Sequence, residues 1–141
     1  VRLEAYREAL AEAGLPFDES LVRYGAFRRE GVADLISAWF SLPANGNRPT
    51  ALFAANDVMA MEAIRTLLRC GLRVPEDVAV CGFDNIPGAA EIVPSLTTVG
   101  QDAQALGQKA AELLLRRLAG EEPAAVRRVS VPYQLVIRES A

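Results

Sequence analysis

The sequence predicts an α/β fold built on a parallel sheet, and the evidence lies between residues 50 and 83. Residues 51–55 form an apolar run with the length of a strand that is buried on both faces. An amphipathic helical pattern follows over residues 58–69, and residues 78–81 form a second short apolar run. Because strand, helix and strand occur in this order, we expect a βαβ unit with parallel strands and a right-handed crossover.

The helix of this unit has defined ends and one polar face. Asn56 and Asp57 are residue types that cap helix N-termini, and Gly71 is the usual residue at a C-terminal cap. The polar residues of the helix recur at i, i+3, i+4 and i+7. We expect them to form a solvent-exposed stripe: Glu62, Arg65, Thr66 and Arg69.

Three elements are predicted before this unit. Apolar periodicity predicts helices over residues 1–13 and 30–41, and a short apolar run predicts a strand over residues 21–24. Phe27 lies just beyond that strand, where its ring either lines a crevice or covers the core. Residues 43–49 contain two prolines and a glycine and are predicted to form a surface loop.

A long helix and a terminal strand are predicted after the unit. Residues 95–99 favour a short extended segment, and Asp102 can cap the long helix that follows. One face of this helix is apolar and includes Leu106, Ala110, Leu113 and Leu114. Residues 129–138 alternate between apolar and polar side chains, which predicts a half-exposed strand. It should lie at a sheet edge, since Pro132 cannot donate a ladder hydrogen bond.

Composition and charge exclude several classes of function. The net charge is −3, so the chain lacks the basic surface that binds nucleic acid. It contains no histidine, which excludes Ser-His-Asp triads and histidine metal sites. No apolar stretch has the length of a membrane span, and we expect no cofactor and no membrane partner. Because the chain starts at Val1 without a methionine or a helix cap, we expect it to be cut from a longer protein.

Polar side chains follow both strands of the βαβ unit. Asn56 and Asp57 come after the first strand, and Asp84 and Asn85 come after the second. The carboxyl ends of parallel strands meet at one edge of the sheet, where open α/β folds bind their ligands. The sequence therefore predicts a ligand-binding crevice at this edge.

Four short motifs occur in a fixed order in this chain: FAANDVMA at residues 53–60, GLRVPEDV at 71–78, GFDN at 82–85 and PSLTTV at 94–99. Together with RLEAY at residues 2–6, they resemble the effector-binding domain of LacI/GalR-type transcriptional regulators. The resemblance covers essentially the whole chain. It implies a periplasmic-binding-protein-like fold, in which two α/β lobes, each a three-layer sandwich with a parallel sheet, enclose a small molecule. This chain resembles the C-terminal lobe.

The resemblance also implies a set of effector-binding residues: Arg2, Phe27, Asn56, Asp84 and Gln101. Without the resemblance, Arg2 would be interpreted as a solvated side chain, because a cation in the first turn opposes the helix dipole. Asp57 is expected to cap its helix instead of binding the effector. Some sugar-responsive members have a second aromatic residue just after the position of Gln101, whereas this chain has Ala103. The pocket is therefore expected to be larger or tuned to another effector, and a pentose, a hexose or a purine-like ring fits equally well.

By the same resemblance, residues 1–99 form the C-terminal lobe, and residues 100–125 form the crossing and a helix that packs on the absent N-terminal lobe. Residues 126–141 form the strand that returns to the lobe. We expect the apolar face of the long helix to lack its partner here, and to fold back, swap between chains or cause association. The family's homodimer interface would include Met61, Ile64 and Ile92; the alternative is that this apolar arc is simply core.

The resemblance implies the effector-sensing domain of a dimeric, cytoplasmic transcriptional regulator. A sugar-like molecule would bind between the lobes, and the dimer would pass the change in closure to headpieces that bind operator DNA outside this chain. The alternative is a sugar-binding protein of a transport system, which shares the fold. A glycosidase-like pair of Asp57 and Asp84 is the third hypothesis. We do not expect an enzyme or any catalytic residue, because both side chains have ready binding or capping roles.

Overall fold

The computed structural model describes residues 1–40, 48–121 and 129–141. The predicted end of the helix at residue 41 lies outside these ranges, and so does most of the predicted loop over residues 43–49. Residues 122–128, which belong to the predicted crossing and returning segments, also lie outside them. The helices and strands, in chain order, are α1 (Arg2–Glu12), α2 (Val32–Phe40), β1 (Ala51–Phe53), α3 (Asp57–Arg69), β2 (Ala79–Asp84), α4 (Gly88–Glu91), β3 (Thr97–Gln101), α5 (Ala103–Leu118) and β4 (Tyr133–Val136).

The strands form one mixed sheet in the order β1-β2-β3-β4. β1 and β3 both pair with β2 in parallel, with Asp84 opposite Gly100 at the end of the β2–β3 ladder. β4 pairs antiparallel with β3, with Gln101 opposite Tyr133. The predicted α/β fold with its parallel βαβ unit is confirmed, and so is the edge position of the terminal strand. Consequently, the carboxyl ends of β1, β2 and β3 lie at one edge of the sheet.

The core lies between α2, α3 and the sheet. Its buried apolar residues are Val32, Ile36, Phe40, Ala60, Ala63, Ile64, Leu67, Val74, Val78, Val80, Ala89 and Leu96. Ile64 has 0% of its surface exposed, so the structure assigns it to the core and not to an interface with another chain. For this residue the expected dimer contact is wrong, because an enclosed side chain has no area to offer a partner. Met61 and Ile92 are partly buried against the same core.

The predicted strand over residues 21–24 is wrong. The segment starts with a single 3₁₀ turn, Glu19–Leu21, and Asp18 caps this turn by accepting a hydrogen bond from the backbone N–H of Ser20 at 2.8 Å. The guanidinium of Arg23 then donates to the backbone carbonyls of Ser20 and Val22, at 2.7 and 2.8 Å. These carbonyls are satisfied locally, so they need no neighbouring strand.

The expected solvent-exposed stripe on α3 is wrong at two of its positions. Glu62 is 5% exposed and Thr66 is 2% exposed. The carboxylate of Glu62 lies 2.7 Å from Arg29, 3.1 Å from Arg69 and 3.6 Å from Arg65. The arginine side chains extend across the carboxylate and shield it from water, while their own charged ends remain accessible. Because Arg29 lies outside the helix, the helical period alone does not indicate this burial.

The arginines around Glu62 make its charge favourable in spite of its burial. Burial raises the pKa of the Glu62 carboxyl, but hydrogen bonds and charge from Arg69 and Arg29 lower it, and the resulting pKa lies below the ordinary value. A carboxyl whose pKa is lower in the folded than in the unfolded protein stabilises the fold above its unfolded pKa. That stability is lost as the pH falls through the folded pKa.

We expect Glu62→Gln to lower the free energy of unfolding by roughly 1–2 kcal/mol at pH 7, since the substitution removes the charge that the arginines surround. The difference from the unsubstituted chain should shrink as the pH falls from about 4 through the lowered pKa of Glu62, below which both chains carry a neutral side chain. Urea unfolding at a series of pH values measures this. The control is Glu112→Gln, which disrupts exposed ion pairs on α5 and should change little. A pH-independent effect of Glu62→Gln would contradict the assignment.

No residue of α5 is buried by the described part of the chain. The helix begins as predicted, since the Asp102 carboxylate accepts a hydrogen bond from the N–H of Ala105 at 2.9 Å. Its leucines are accessible, with Leu114 58% exposed and Leu118 75% exposed. The apolar face therefore lacks cover within the described residues, as the sequence indicated. None of the helices in residues 1–40, 48–121 and 129–141 combines the length and apolarity needed to cross a membrane.

We expect the 141-residue chain on its own to self-associate through α5, because a contiguous set of exposed leucines favours burial. Replacing Leu114, Leu115 and Leu118 together with lysine should shift the chain to the monomer, measured by sedimentation velocity over a range of concentrations. Leu15→Lys, which removes a 56% exposed leucine outside α5, should leave the association intact. A chain that stays monomeric at every concentration without substitution would contradict the prediction.

Candidate functional site

A buried carboxylate fixes the carboxyl edge of the sheet. Asp57 is 0% exposed, and its two oxygens accept hydrogen bonds from the Ile86 N–H at 2.9 Å and the Thr98 hydroxyl at 2.6 Å. A Cβ atom on Gly82 would lie 2.3 Å from one of these oxygens, so the glycine makes room for the carboxylate. The expectation that Asp57 caps α3 is therefore wrong. Its side chain links the helix to β3 and to the loop after β2.

Asn56 takes the capping role at α3. Its side-chain oxygen accepts a hydrogen bond from the Met59 N–H at 2.9 Å, and its amide nitrogen donates to the Phe27 carbonyl at 3.1 Å. The ion pair of Arg29 with Glu62 ties the same segment to α3 a second time. These contacts position Phe27 beside the carboxyl end of β1. The proposed contact between Asn56 and an effector remains a prediction.

Arg2 reaches this edge from the first turn of α1. Its guanidinium donates to the Ala55 carbonyl, lies 3.5 Å from an Asp84 carboxylate oxygen and stacks 3.8 Å from the centre of the Phe83 ring. The alternative interpretation from the sequence, in which Arg2 is a solvated side chain without partners, does not fit these contacts. Phe27 lies farther from the same guanidinium, at 5.9 Å. Arg2 is thus held by a carbonyl, a carboxylate and an aromatic face.

Phe83 is a candidate site residue that was not predicted from the sequence. Adjacent residues of a strand point to opposite faces, so Phe83 and Asp84 would not be expected to contact the same side chain. Asp84 has a φ of 121°, and Asn85, next in the chain, has a φ of 55°. This backbone change at the end of β2 lets both Phe83 and Asp84 reach Arg2. The signal in the sequence that points to Phe83 is its position inside the GFDN motif.

Phe27 lies in the crevice and does not cover the core. The residue is 64% exposed and its φ is 57°, in the left-handed region that few aromatic residues adopt. The backbone at Phe27 is held by the Asn56 amide. An exposed ring beside a guanidinium and a carboxylate provides an apolar face next to charged hydrogen-bonding groups.

Gln101 lies at the same edge of the sheet but in a neighbouring groove. It is the last residue of β3 and follows Gly100, which pairs with Asp84. The groove is lined by Asn85, Gly100, Gln101, Asp102, Pro132, Tyr133 and Gln134. The structure therefore brings Arg2, Phe27, Asn56 and Asp84 together and places Gln101 beside them, across Asn85.

The chemistry of this edge suits a polar ring-shaped molecule. Arg2 supplies N–H donors and Asp84 supplies acceptors, the combination that vicinal hydroxyl groups require. The exposed Phe27 ring can pack on an apolar face of the same molecule. Within the described residues, no cluster of three or more histidine, cysteine, aspartate or glutamate side chains is arranged to hold a metal ion.

The whole chain, residues 1–141, matches the family described as periplasmic binding protein-like domain. The HTH-type transcriptional regulator CelR from Thermobifida fusca is 43% identical over 140 residues, which are 99% of this chain and 40% of that protein. The chain thus spans less than half the length of this relative.

Solved structures of transcriptional regulators are also similar to this chain. The structure of a transcriptional regulator CelR–cellobiose complex matches with a TM-score of 0.89 at 39% identity, over 99% of this chain and 42% of that one. A LacI family transcriptional regulator from Lactobacillus casei with bound sucrose matches with a TM-score of 0.83 at 29% identity, over 99% of this chain and 50% of that one. The chain therefore belongs to the periplasmic binding protein-like domain family, and it is similar to part of the LacI family regulator structure.

Proposed function

We propose that this chain is the effector-sensing part of a DNA-binding transcriptional regulator and that its effector is a sugar or a sugar derivative. The observation that carries the proposal is the Arg2–Asp84 pair beside the exposed ring of Phe27, at the carboxyl edge of a parallel sheet. Related structures were solved with bound cellobiose and sucrose, and both molecules offer the hydroxyl groups that such a pair binds.

The arrangement supports binding and not catalysis. Asp57 is fully buried and both of its oxygens accept hydrogen bonds from the protein, so it has no access to a substrate. Asp84 is paired with the guanidinium of Arg2. A pair of carboxylates that shares a glycosidic bond needs both groups to face the substrate. We therefore assign Arg2 and Asp84 to recognition.

We propose that residues 1–99 form one lobe, that residues 100–125 cross to a second lobe outside this chain, and that residues 126–141 return. The exposed leucines of α5 support the crossing, because they need a partner surface. The antiparallel pairing of β4 with β3 supports the return. Residues Met61 and Ile92 are proposed for a homodimer contact. The rest of the relatives' length leaves room for the second lobe and a DNA-binding headpiece.

In this proposal the switch is a shift between two closure states. An effector that binds one closure state more tightly raises the population of that state. Operator DNA binds more tightly either to the opposite closure state or to the same one. The preference of the operator decides whether the effector induces or co-represses. The acidic chain described here, with its net charge of −3, would contact DNA only through the headpiece, in the cytoplasm.

The full-length protein that carries this chain allows a direct test. Isothermal titration with cellobiose, sucrose and glucose measures binding, and release or capture of operator DNA measures the response. We expect at least one sugar to bind and to change operator affinity. Binding of a sugar without any binding to DNA would instead support a transport protein. No binding of any of the three and no operator response would contradict the sugar-effector proposal.

We expect Asp84→Ala to weaken effector binding at least about tenfold and to abolish the operator response, since a hydrogen-bonded carboxylate in a site contributes more than 1.4 kcal/mol. Dimer formation and basal operator binding should persist. The matched control is Asp77→Ala, which removes an aspartate paired with Arg73 in the turn before β2, outside the site. A normal effector response in Asp84→Ala would remove this residue from the site.

We expect Phe83→Leu to weaken effector binding several-fold, because Arg2 loses the aromatic face that orients its guanidinium while the apolar volume is largely retained. Titration with the same sugars measures this. The matched control is Phe17→Leu, since Phe17 stacks with Arg7 at 4.4 Å away from the site. Equal affinity in Phe83→Leu and the unsubstituted protein would show that the stacking does not orient Arg2.

A further inference from the structure

The turn that presents Asp84 has an unfavourable backbone. Asp84 and Asn85 are consecutive non-glycine residues with positive φ, at 121° and 55°. Such backbone persists only where surrounding groups hold it in place. The groups that hold this turn therefore determine where the Asp84 carboxylate lies relative to Arg2.

Two side chains hold the turn. On one side, the N–H of Ile86 donates to the buried carboxylate of Asp57 at 2.9 Å. On the other side, the amide oxygen of Asn85 accepts a hydrogen bond from the guanidinium of Arg138 at 2.8 Å. Gly100 leaves space for the Asn85 side chain, because a Cβ atom there would lie 3.0 Å from the Cβ of Asn85.

Arg138 is itself fixed to the core. Its second terminal nitrogen donates to the Leu96 carbonyl at 2.7 Å, and its backbone N–H donates to the Thr97 hydroxyl at 2.8 Å. Leu96 is 0% exposed and Thr97 is 4% exposed. One terminal nitrogen of the guanidinium thus donates to a buried carbonyl, while the other donates to the Asn85 side chain. A lysine ammonium does not reproduce this two-pronged geometry.

We propose that Arg138 is a positioning residue for the effector site and that it places Asp84 through Asn85. This inference rests on the proposed function, since Asp84 is the carboxylate proposed to bind the effector. Arg138 follows β4, the strand proposed to return from the second lobe. One side-chain hydrogen bond therefore joins the end of that strand to the turn that presents Asp84.

A double-mutant cycle in the full-length protein tests the pathway. Arg138→Met removes the donor and keeps most of the apolar length, whereas Asn85→Gly removes the acceptor in a backbone that glycine tolerates. We expect each substitution to weaken the binding of cellobiose, or of sucrose or glucose if one of these binds more tightly, by about tenfold. The double variant should be no weaker than either single variant. Arg138→Lys should not restore the affinity.

Glu139→Gln is the matched control in the same segment. Glu139 accepts hydrogen bonds from the N–H and the hydroxyl of Ser95, at 2.8 and 2.9 Å, and does not contact the turn at Asp84. We expect this substitution to lower the melting temperature without changing sugar affinity. If Arg138→Met also lowers only the melting temperature, or if the Arg138 and Asn85 effects add fully, the proposal is overturned.

A crystal structure can test the role of Arg138 independently of which effector the protein binds. In the ligand-free crystal structure of Arg138→Met, we expect the turn to relax and Asp84 to move away from Arg2, from which it lies 3.5 Å here. If no sugar binds the unsubstituted protein, the sugar-effector proposal fails, while this structure still tests the role of Arg138. An Asp84 carboxylate that stays in place with the same φ would overturn that role.

Discussion

The hydrogen bonds of the Asp57 carboxylate are the constraint on which the site depends. Polar oxygens without access to water are tolerated only when they are hydrogen-bonded, and here the Thr98 hydroxyl and the Ile86 N–H donate to the two side-chain oxygens of Asp57. These bonds join the first turn of α3, strand β3 and the loop after β2 at one point. Because Gly82 leaves no side chain in that space, the carboxylate can lie directly against β2. These contacts therefore fix the positions of the first turn of α3, β3 and the loop after β2 relative to one another.

Burial separates two aspartates that resemble each other in the sequence. Asp57 and Asp84 both follow a strand of the βαβ unit, yet Asp57 is fully buried whereas the Asp84 side chain is 37% exposed. The first is committed to the fold, and the second keeps an oxygen near Arg2 at the surface. The backbone at Asp84 departs from strand geometry, which turns its carboxylate toward the crevice. Strain at this position is thus part of how the site is presented.

Local patterns in the sequence predicted much of the fold because the contacts that decide it are local. The βαβ unit, the Asp102 cap and the terminal edge strand follow from periodicity and capping within a few residues of each other. The error at residues 21–24 comes from local hydrogen bonds that replace those of a strand, but other errors arise where a distant side chain intervenes. Glu62 has the spacing of an exposed residue, but Arg29, from a segment far from it in the chain, covers its carboxylate. Phe83 was not predicted for a related reason, because side chains alternate between the two faces of a strand only until the backbone turns at Asp84.

The two ends of the segment between β3 and β4 lie together beside the candidate site. Gln101 and Tyr133, where the chain leaves and re-enters the sheet, are paired opposite each other and line one groove with Asn85. Beyond β4 the chain is anchored again, because the buried Ser140 hydroxyl donates to the Val80 carbonyl at 2.6 Å and accepts from the Thr97 N–H at 2.9 Å. The chain after β4 is therefore held on both sides of Glu139, by Arg138 and by Ser140. The hydrogen bond from Arg138 to Asn85 joins this anchored segment to the turn at Asp84, whose positive φ is unfavourable for a non-glycine residue.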